Sequence, residues 1–427
     1  MSRELWQKLN NHYPTYLVGG AVRDILLGKT PKDYDYATKA TPGQIVEVFQ
    51  GHKVNFVGAH FGVVIVDGFE FATFRADVGD NCRYTDTIEE DLARRDFSIN
   101  AMAMSFDGIL IDLHKGRRDI KYKLINFVGW AYDRIKEDPV RILRAARFTT
   151  GGLYLSQRTI SSASLLSNLL DGIKPERIQL ELIKSLEARW TSFFFEALKD
   201  MNSLCTVFPD LERCWKHDGG NFHLEDVFQH LMLTGDAISP KYPMVKLAGY
   251  LHDIGKPAAY NPDDRSFICH HDLEAEINQK LLTYLKFSNE WINAVVGLTK
   301  LHMHTVIKGS SPKSIRKLVA KLATYNLTWE DFLRLRIADH RANLNKDPYT
   351  ISEIKEMIRA FQQEEKVTLS THSLAISGGE LIHLLFLEPG PIVGRLQKDL
   401  LQYVIEEGEE VNNTLDLLTK AKELLYA

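Results

Sequence analysis

The sequence predicts an α+β protein: a small mixed β-sheet within the first 130 residues, then an all-α remainder. Three observations predict it. The stretch from Tyr16 to Thr38, YLVGGAVRDILLGKTPKDYDYAT, reads as strand, glycine turn, helix, loop and strand. A β-branched run from Phe61 to Val66 meets a returning strand, Phe69 to Phe74, across Asp67-Gly68, a type I′ hairpin signal. From Tyr132 to Phe148 the apolar residues Ile142, Leu143, Ala146 and Phe148 form a helical stripe.

The elements follow in chain order. Tyr16-Leu17-Val18 is a short apolar strand. Gly19 and Gly20 permit a tight turn and let backbone N–H groups approach an anion. Ala21 to Leu27 carries helix formers, and Gly28 stops them. Asp33 and Asp35 follow in DYDYAT, and on a strand residues two apart project to one face. Two such carboxylates repel each other unless a hard cation lies between them, and Mg²⁺ with oxygen ligands and substrate phosphates fits. A glycine turn just before a carboxylate pair points to metal-assisted phosphoryl or nucleotidyl transfer. Thr41 to Phe49 opens with Thr-Pro as a short amphipathic helix. In FEFATFR, Glu70 is the candidate third carboxylate of a two-metal site. Thr87 caps an acidic first turn of Glu89, Glu90 and Asp91.

LVGGAVRDILLG followed by DYDYAT resembles the signature of the class II tRNA nucleotidyltransferase and bacterial poly(A) polymerase superfamily. The resemblance implies that Asp33 and Asp35 are catalytic and hold Mg²⁺, with Glu70 beside them. It implies that Gly19, Gly20 and Arg23 bind nucleotide. RRDFSINAMA is similar to the superfamily's motif at the nucleotide. There Arg94 and Arg95 suit triphosphate oxygens, because the guanidinium fork matches phosphate geometry, while Asp96 and Asn100 read ribose hydroxyls. KGRRDIKYK, from Lys115, is a basic cluster placed for phosphate-backbone contact.

YDRIKEDPVRILRAARF, from Tyr132 to Phe148, has an apolar stripe of Ile142, Leu143, Ala146 and Phe148, so it reads as one helix with Pro139 in its first turn. Glu137, Asp138 and Arg141 can then share a face. EDPVR matches the motif whose Asp and Arg act as a protein template for the incoming base. Cytosine and adenine both offer an amine donor beside an acceptor ring nitrogen, and uracil and guanine offer the reverse. A carboxylate that accepts and a guanidinium that donates therefore select C and A. Asp138 and Arg141 supply that pair, Glu137 fixes Arg141, and Arg144 and Arg147 continue the basic side. PERIQLELIKSL, from Pro175 to Leu186, resembles the element that braces this helix.

From Asn221 a second signature begins: HLEDVFQHLM with His230, KLAGYLHDIGKP with His252-Asp253, RSFICHHDLEAE with His270 and His271, and RIADHRANL with Asp339. It resembles the HD phosphohydrolase domain. The resemblance implies metal ligands His230, His252, Asp253 and Asp339, with Lys256 on phosphate. Mixed imidazole and carboxylate ligands suit Ni²⁺, Mn²⁺ or Mg²⁺. Ser377 to Gly408, broken by Pro389-Gly390-Pro391, resembles the C-terminal element of bacterial class II enzymes.

The expected organisation is a nucleotidyltransferase head (1–130), a neck and body with the base-selecting helix (131–215), an HD domain (216–345) and a C-terminal helical tail (346–427). The expected reaction adds C and A residues from CTP and ATP to a tRNA 3′ end and releases pyrophosphate. The segment between TFR and RRDF is short and lacks a basic centre, as in enzymes that add only two cytidines, so CC-only addition is an alternative. A poly(A) polymerase, or an HD phosphohydrolase with an RNA-binding head, are the others.

Composition bounds these readings. At 427 residues with 44% hydrophobic and 25% charged side chains, the chain has the profile of an ordinary soluble protein; a monomer or homodimer is the expected assembly, which composition does not decide. No apolar run reaches the ~18 residues that span a bilayer, and the N-terminus MSRELWQKLNNHY is no signal peptide, so no membrane partner is expected. Cys82, Cys205, Cys214 and Cys269 form neither a disulfide framework nor a zinc pattern, which fits a reducing cytoplasm. A net charge of −4 argues against broad nucleic-acid binding, not against a local basic patch.

Overall fold

The computed structural model describes residues 2–55, 62–78, 81–221, 223–267, 270–304, 306, 310–366 and 369–426. The chain divides into two compact units, Met1–Pro209 and Asp210–Ala427.

The first unit opens with α1 (Ser2–Asn10), β1 (Thr15–Val18), α2 (Gly20–Leu26), β2 (Asp35–Thr38), α3 (Pro42–Val48), β3 (Val54–Asn55), β4 (Val63–Val66) and β5 (Phe69–Thr73). A hairpin of β6 (Arg75–Val78) and β7 (Asn81–Tyr84) follows, then α4 (Ile88–Ala93), β8 (Ala103–Met104), β9 (Leu110–Ile111) and α5 (Gly116–Tyr122). One mixed sheet runs β3-β4-β5-β2-β1-β8-β9, with β2 and β5 parallel and its other neighbours antiparallel. Residues Asp67 and Gly68 both take positive φ (49° and 89°), as a type I′ turn requires, and pair Val66 with Phe69. Alternation divides the side chains of the sheet. Val18, Ala37, Phe74 and Ala103 pack with Ile88 and Leu92 of α4, while Tyr36 stacks on Phe71 at 4.9 Å beside Phe49 and Trp6. The Thr41 hydroxyl and the Gln44 side chain close a capping box on α3.

The unit continues with β10 (Leu124–Ile125), α6 (Ala131–Glu137), α7 (Val140–Thr149), β11 (Tyr154–Leu155), α8 (Gln157–Leu165), α9 (Pro175–Leu186), α10 (Ser192–Asp200) and the short α11 (Leu204–Val207). The single helix expected across Tyr132–Phe148 is therefore two. Asp138 is extended (φ −150°, ψ 97°) between them. A residue before proline is pushed out of the helical region, and Pro139 has no N–H to carry the ladder across.

The second unit, taking in the short α12 (Pro209–Arg213) where the two meet, is built on α13 (Val227–Ala237), α14 (Pro243–Leu251), α15 (Lys256–Ala259), the small ribbon β12 (Tyr260–Asn261) and β13 (Ser266–Phe267), α16 (His270–Tyr284), α17 (Asn289–Leu301), α18 (Pro312–Ala323) and α19 (Trp329–Ala342). Helices α13, α14, α17 and α19 pack on one another, and α16 packs on α17. Next come α20 (Ile351–Glu364), α21 (Gly378–Leu385), α22 (Pro391–Glu407) and α23 (Thr414–Tyr426). The last three share a core of Leu381, Leu396, Leu400, Val404 and Leu417. Buried Arg316 of α18 donates to the Ile405 and Glu406 carbonyls at the end of α22 and pairs with Glu364 of α20. A cation there satisfies carbonyls that the helix end leaves open. No helix among the described residues is long and apolar enough to cross a membrane.

Candidate active sites

A cavity of about 580 Å³ opens at the C-terminal end of β1. It is lined by Gly19, Gly20, Asp33 and Asp35, and from other elements by Arg23, Arg94, Arg95, Asn100, Arg144 and Arg147. Counting every lining residue, seven basic side chains face four carboxylates, the balance a polyphosphate needs. Gly19 takes φ +67°, and a Cβ there would lie 3.1 Å from Nη1 of Arg95. The turn thus needs glycine both for its backbone and to let Arg95 approach. Gly19→Ala should destabilise the first unit by ~1–2 kcal/mol, because left-handed backbone carries that cost with a side chain. Thermal denaturation checks it.

Asp35 heads β2 in register with Val18 on one side and Glu70 on the other. Burial pushes its carboxyl above the ordinary range, Arg95 opposes the shift, and Asp33 adds to it. Glu70 is raised as well, by partial desolvation of its carboxyl beside the sheet and then by Asp35 and Asp33. Charge crowding of this kind is what a divalent cation relieves, so the donor set fits one. Asp33 departs from the strand expectation. It lies in the bend before β2, because the strand begins only at Asp35. Glu70 is exposed on β5 and does not line the cavity.

The arginines are held by acids. Asp91 of α4 is buried and accepts from Arg95 at 3.0 Å, with Arg94 at 3.6 Å. Thr87 stands at the start of α4 but makes no capping bond with its side chain, contrary to expectation. Asp96 is engaged by Arg144 at 2.7 Å, by the Phe97 N–H and by Asn100. Burial alone would raise its pKa, and these partners, Arg144 foremost, hold it below the ordinary value. Arg23 donates to Asn100 at 2.8 Å.

Arg141 donates to Glu137 at 2.7 Å and to the Arg134 carbonyl, while Asp138 is held by the fork of Arg177 at 3.0 and 2.8 Å. Asp138 and Arg141 thus have separate partners and do not pair with each other. Neither is among the residues lining the cavity, whereas Arg144, Arg147 and Phe148, farther along α7, are. Buried Glu181 of α9 grips Arg144 and Arg147. Arg177 and Glu181, one turn apart, therefore tie α9 to both ends of this stretch.

In the second unit His230, His252, Asp253 and Asp339 converge. His230 Nε2 lies 3.1 Å from Asp339 Oδ1 and 3.6 Å from Asp253 Oδ2. His252 Nε2 lies 3.5 Å from Asp253 Oδ2 and 3.8 Å from Asp339 Oδ1. Burial pulls the His252 pKa down to about 4, leaving a neutral ring. Burial also opposes charge on His230, but bonds to Asp339 and Glu225 outweigh it and hold its pKa at about 9. Lys256 Nζ sits 2.6 Å from Asp253 Oδ2. His271 is at the surface and takes no part. The sequence reading gave no role to Glu225, which accepts from His230 and His223, nor to Glu274 and His302.

Residues 15–126 match the family model described as the Poly A polymerase head domain. A multifunctional CCA protein of Legionella pneumophila is 32% identical over 337 residues, covering 73% of this chain and 80% of that protein. The chain belongs to the CCA-adding enzyme family. A CCA-adding enzyme of Oceanobacillus iheyensis is 38% identical over 205 residues, 45% of this chain and 51% of that enzyme. The solved Bacillus stearothermophilus CCA-adding enzyme in complex with CTP shares the fold, with a TM-score of 0.70 at 23% identity, over 100% of this chain and 97% of that chain. A family of nucleotide-adding enzymes accounts for a glycine turn, a carboxylate pair and an arginine wall in one cavity. It leaves the histidine cluster to be explained separately.

Proposed function

We propose that the chain extends tRNA 3′ ends with C, C and A at the cavity beside Gly19 and Gly20. The tRNA 3′-hydroxyl oxygen attacks the α-phosphorus of CTP or ATP. A phosphodiester bond forms, the α–β bond breaks, and pyrophosphate leaves. Asp33 and Asp35, with Glu70 adjacent, would hold Mg²⁺, which lowers the hydroxyl pKa and offsets charge on the leaving group. Backbone N–H groups at the turn and Arg94 and Arg95 bind the triphosphate. Asn100 and Asp96 lie beside them for the ribose. The observation that carries this reading is the placement of Asp35 and the glycine turn in one arginine-lined cavity.

Asp138 and Arg141 select the base. The Arg177 fork takes one lone pair on each Asp138 oxygen and the Val140 N–H a second on Oδ1, and a carboxylate has about four in all, so Oδ2 can still accept an amine. Arg177 therefore orients the template carboxylate. Asp138→Ala should erode the preference for CTP over UTP roughly 100-fold, the equivalent of about 2.7 kcal/mol from mispaired groups. Single-nucleotide incorporation assays check it. In this chain the segment between β5 and α4 is the short β6–β7 hairpin. Incubation of tRNA lacking CCA with CTP alone should add two residues, and with CTP and ATP three. Arrest after two cytidines in the presence of ATP would make the chain a CC-adding enzyme.

A second activity is supported by the convergence of His230, His252, Asp253 and Asp339. With Ni²⁺, Mn²⁺ or Mg²⁺ these residues suit hydrolysis of phosphomonoesters or 2′,3′-cyclic phosphates. Water oxygen bonds to phosphorus, the ester P–O bond breaks, and the alcohol leaves with a proton from the water. Phosphate release by the purified chain with added Ni²⁺ or Mn²⁺ tests this.

A further inference from the structure

The end of α9 reaches the nucleotide cavity and carries side chains that binding of CTP leaves without a role. Lys184, in the last turn of α9, lines the cavity. Glu187, at the helix end, pairs at 3.5 Å with Lys32, the neighbour of cavity-lining Asp33. Both partners are exposed, so the pair is weak and a phosphate can take the place of Glu187 on Lys32. Beyond it the chain turns tightly. The Thr191 hydroxyl lies 2.8 Å from the Ser185 carbonyl and 3.2 Å from that of Ala188. Arg189 and Trp190 project from this turn, with the Arg189 guanidinium 4.8 Å from the Trp190 ring centre.

The phenylalanines that open α10 divide in two. Phe194 and Phe195 are completely buried, whereas Phe193 is 43% exposed and Trp190 before it 48%. The Phe193 carbonyl accepts from the Thr149 hydroxyl at 2.9 Å, which ties the turn to the end of α7 beside cavity-lining Phe148. A half-exposed ring alone says little. Two of them set among Lys32, Lys184 and Arg189 make the surface that single-stranded nucleic acid uses, where bases stack on rings and phosphates meet cations. The addition reaction calls for such a surface. With the triphosphate held at Gly19, Gly20 and Arg95, the primer has to bring its hydroxyl to the α-phosphate from the side of Asp33. Its last residue changes with each addition. A hydrogen-bonding pocket shaped for one base would reject the next, whereas every base has a π-face to stack.

We infer that Trp190, with Phe193, is the stacking platform for a base of the unpaired 3′ end of the RNA primer, and that Lys32, Lys184 and Arg189 hold the phosphates beside it. The identity of the RNA as a primer rests on the nucleotide-adding reading, whereas the platform rests on the aromatic and basic turn itself.

Photo-crosslinking and kinetics on the full chain test the inference. A tRNA ending in CC, with 4-thiouridine in place of either of its last two residues, is irradiated with the chain in the absence of CTP and ATP. The RNA should attach to Trp190 or Phe193, read by mass spectrometry of the digested complex. Trp190→Ala should raise the KM for tRNA roughly tenfold while the KM for CTP and the circular dichroism spectrum stay unchanged. Trp190→Phe, which keeps a ring, should recover most of the loss. The crosslink uses the unaltered chain and decides the matter if the alanine variant does not fold. Attachment only outside residues 188–193, or an unchanged KM for tRNA in folded Trp190→Ala, overturns the inference. An equal rise in the KM for CTP overturns it too, because the ring would then only shape the cavity. A dimer that Trp190→Ala dissociates, with no attachment of RNA, gives the surface to a second copy of the chain and likewise overturns it. Attachment to Trp190 by a chain that adds no nucleotide upholds the platform and removes only the reaction.

Discussion

Asp35→Asn should reduce CTP incorporation into tRNA by at least ~1,000-fold, because it removes one of the two carboxylates placed to hold the ions beside the α-phosphate. The variant should fold. Asparagine is isosteric, and the backbone of β2 between β1 and β5 is untouched. Burial and Asp33 raise the folded pKa of Asp35, so the native state binds that proton more tightly than the unfolded chain does. Stability contributed by the group is therefore lost as pH rises through the carboxylate range. At neutral pH and without added metal, the neutral amide should hold Tm level or raise it. A rate collapse with unchanged or higher Tm separates chemistry from folding, and phosphate release should be unaffected.

Asp253→Asn should do the converse. Phosphate release should fall by at least ~1,000-fold while CTP incorporation stays near its original rate. This substitution should also cost stability, because buried Lys256 loses the carboxylate 2.6 Å from its ammonium. Stranding one member of a buried ion pair costs about 3–5 kcal/mol. Adding Lys256→Met removes the stranded charge and should recover most of the lost Tm without restoring hydrolysis. Thermal denaturation and phosphate assays on the single and double variants read the two effects apart.

Much of the head was legible because its signals are local. Two apolar runs across Asp67-Gly68 specify a hairpin wherever they occur, and the Tyr16–Thr38 stretch packs strand, turn and helix into adjacent residues. Errors arose where neighbours decide. Asp33 falls just outside β2 because pairing with β1 starts at Asp35, which alternation alone does not reveal. Pro139 was read as a first-turn proline, yet its effect on Asp138 splits the helix and hands that carboxylate to Arg177. Only the fold brings Arg177 there. His302, Glu274 and Glu225 were passed over for a similar reason. Each is an isolated residue on a helix or its flank, and its meaning comes from what it meets: Asp253 for His302, His270 and His302 for Glu274, and His230, five residues on, for Glu225. The clue present in the sequence was density: HLEDVFQH, HHDLEAE and LHMH concentrate imidazoles and carboxylates.

The most direct measurement of the account is a structure of the chain with CTP bound. It should place the triphosphate against Gly19, Gly20 and Arg95, with the α-phosphate beside Asp35 and the cytosine edge at Asp138 and Arg141. A triphosphate seated elsewhere, or a cytosine out of reach of Asp138, would contradict it.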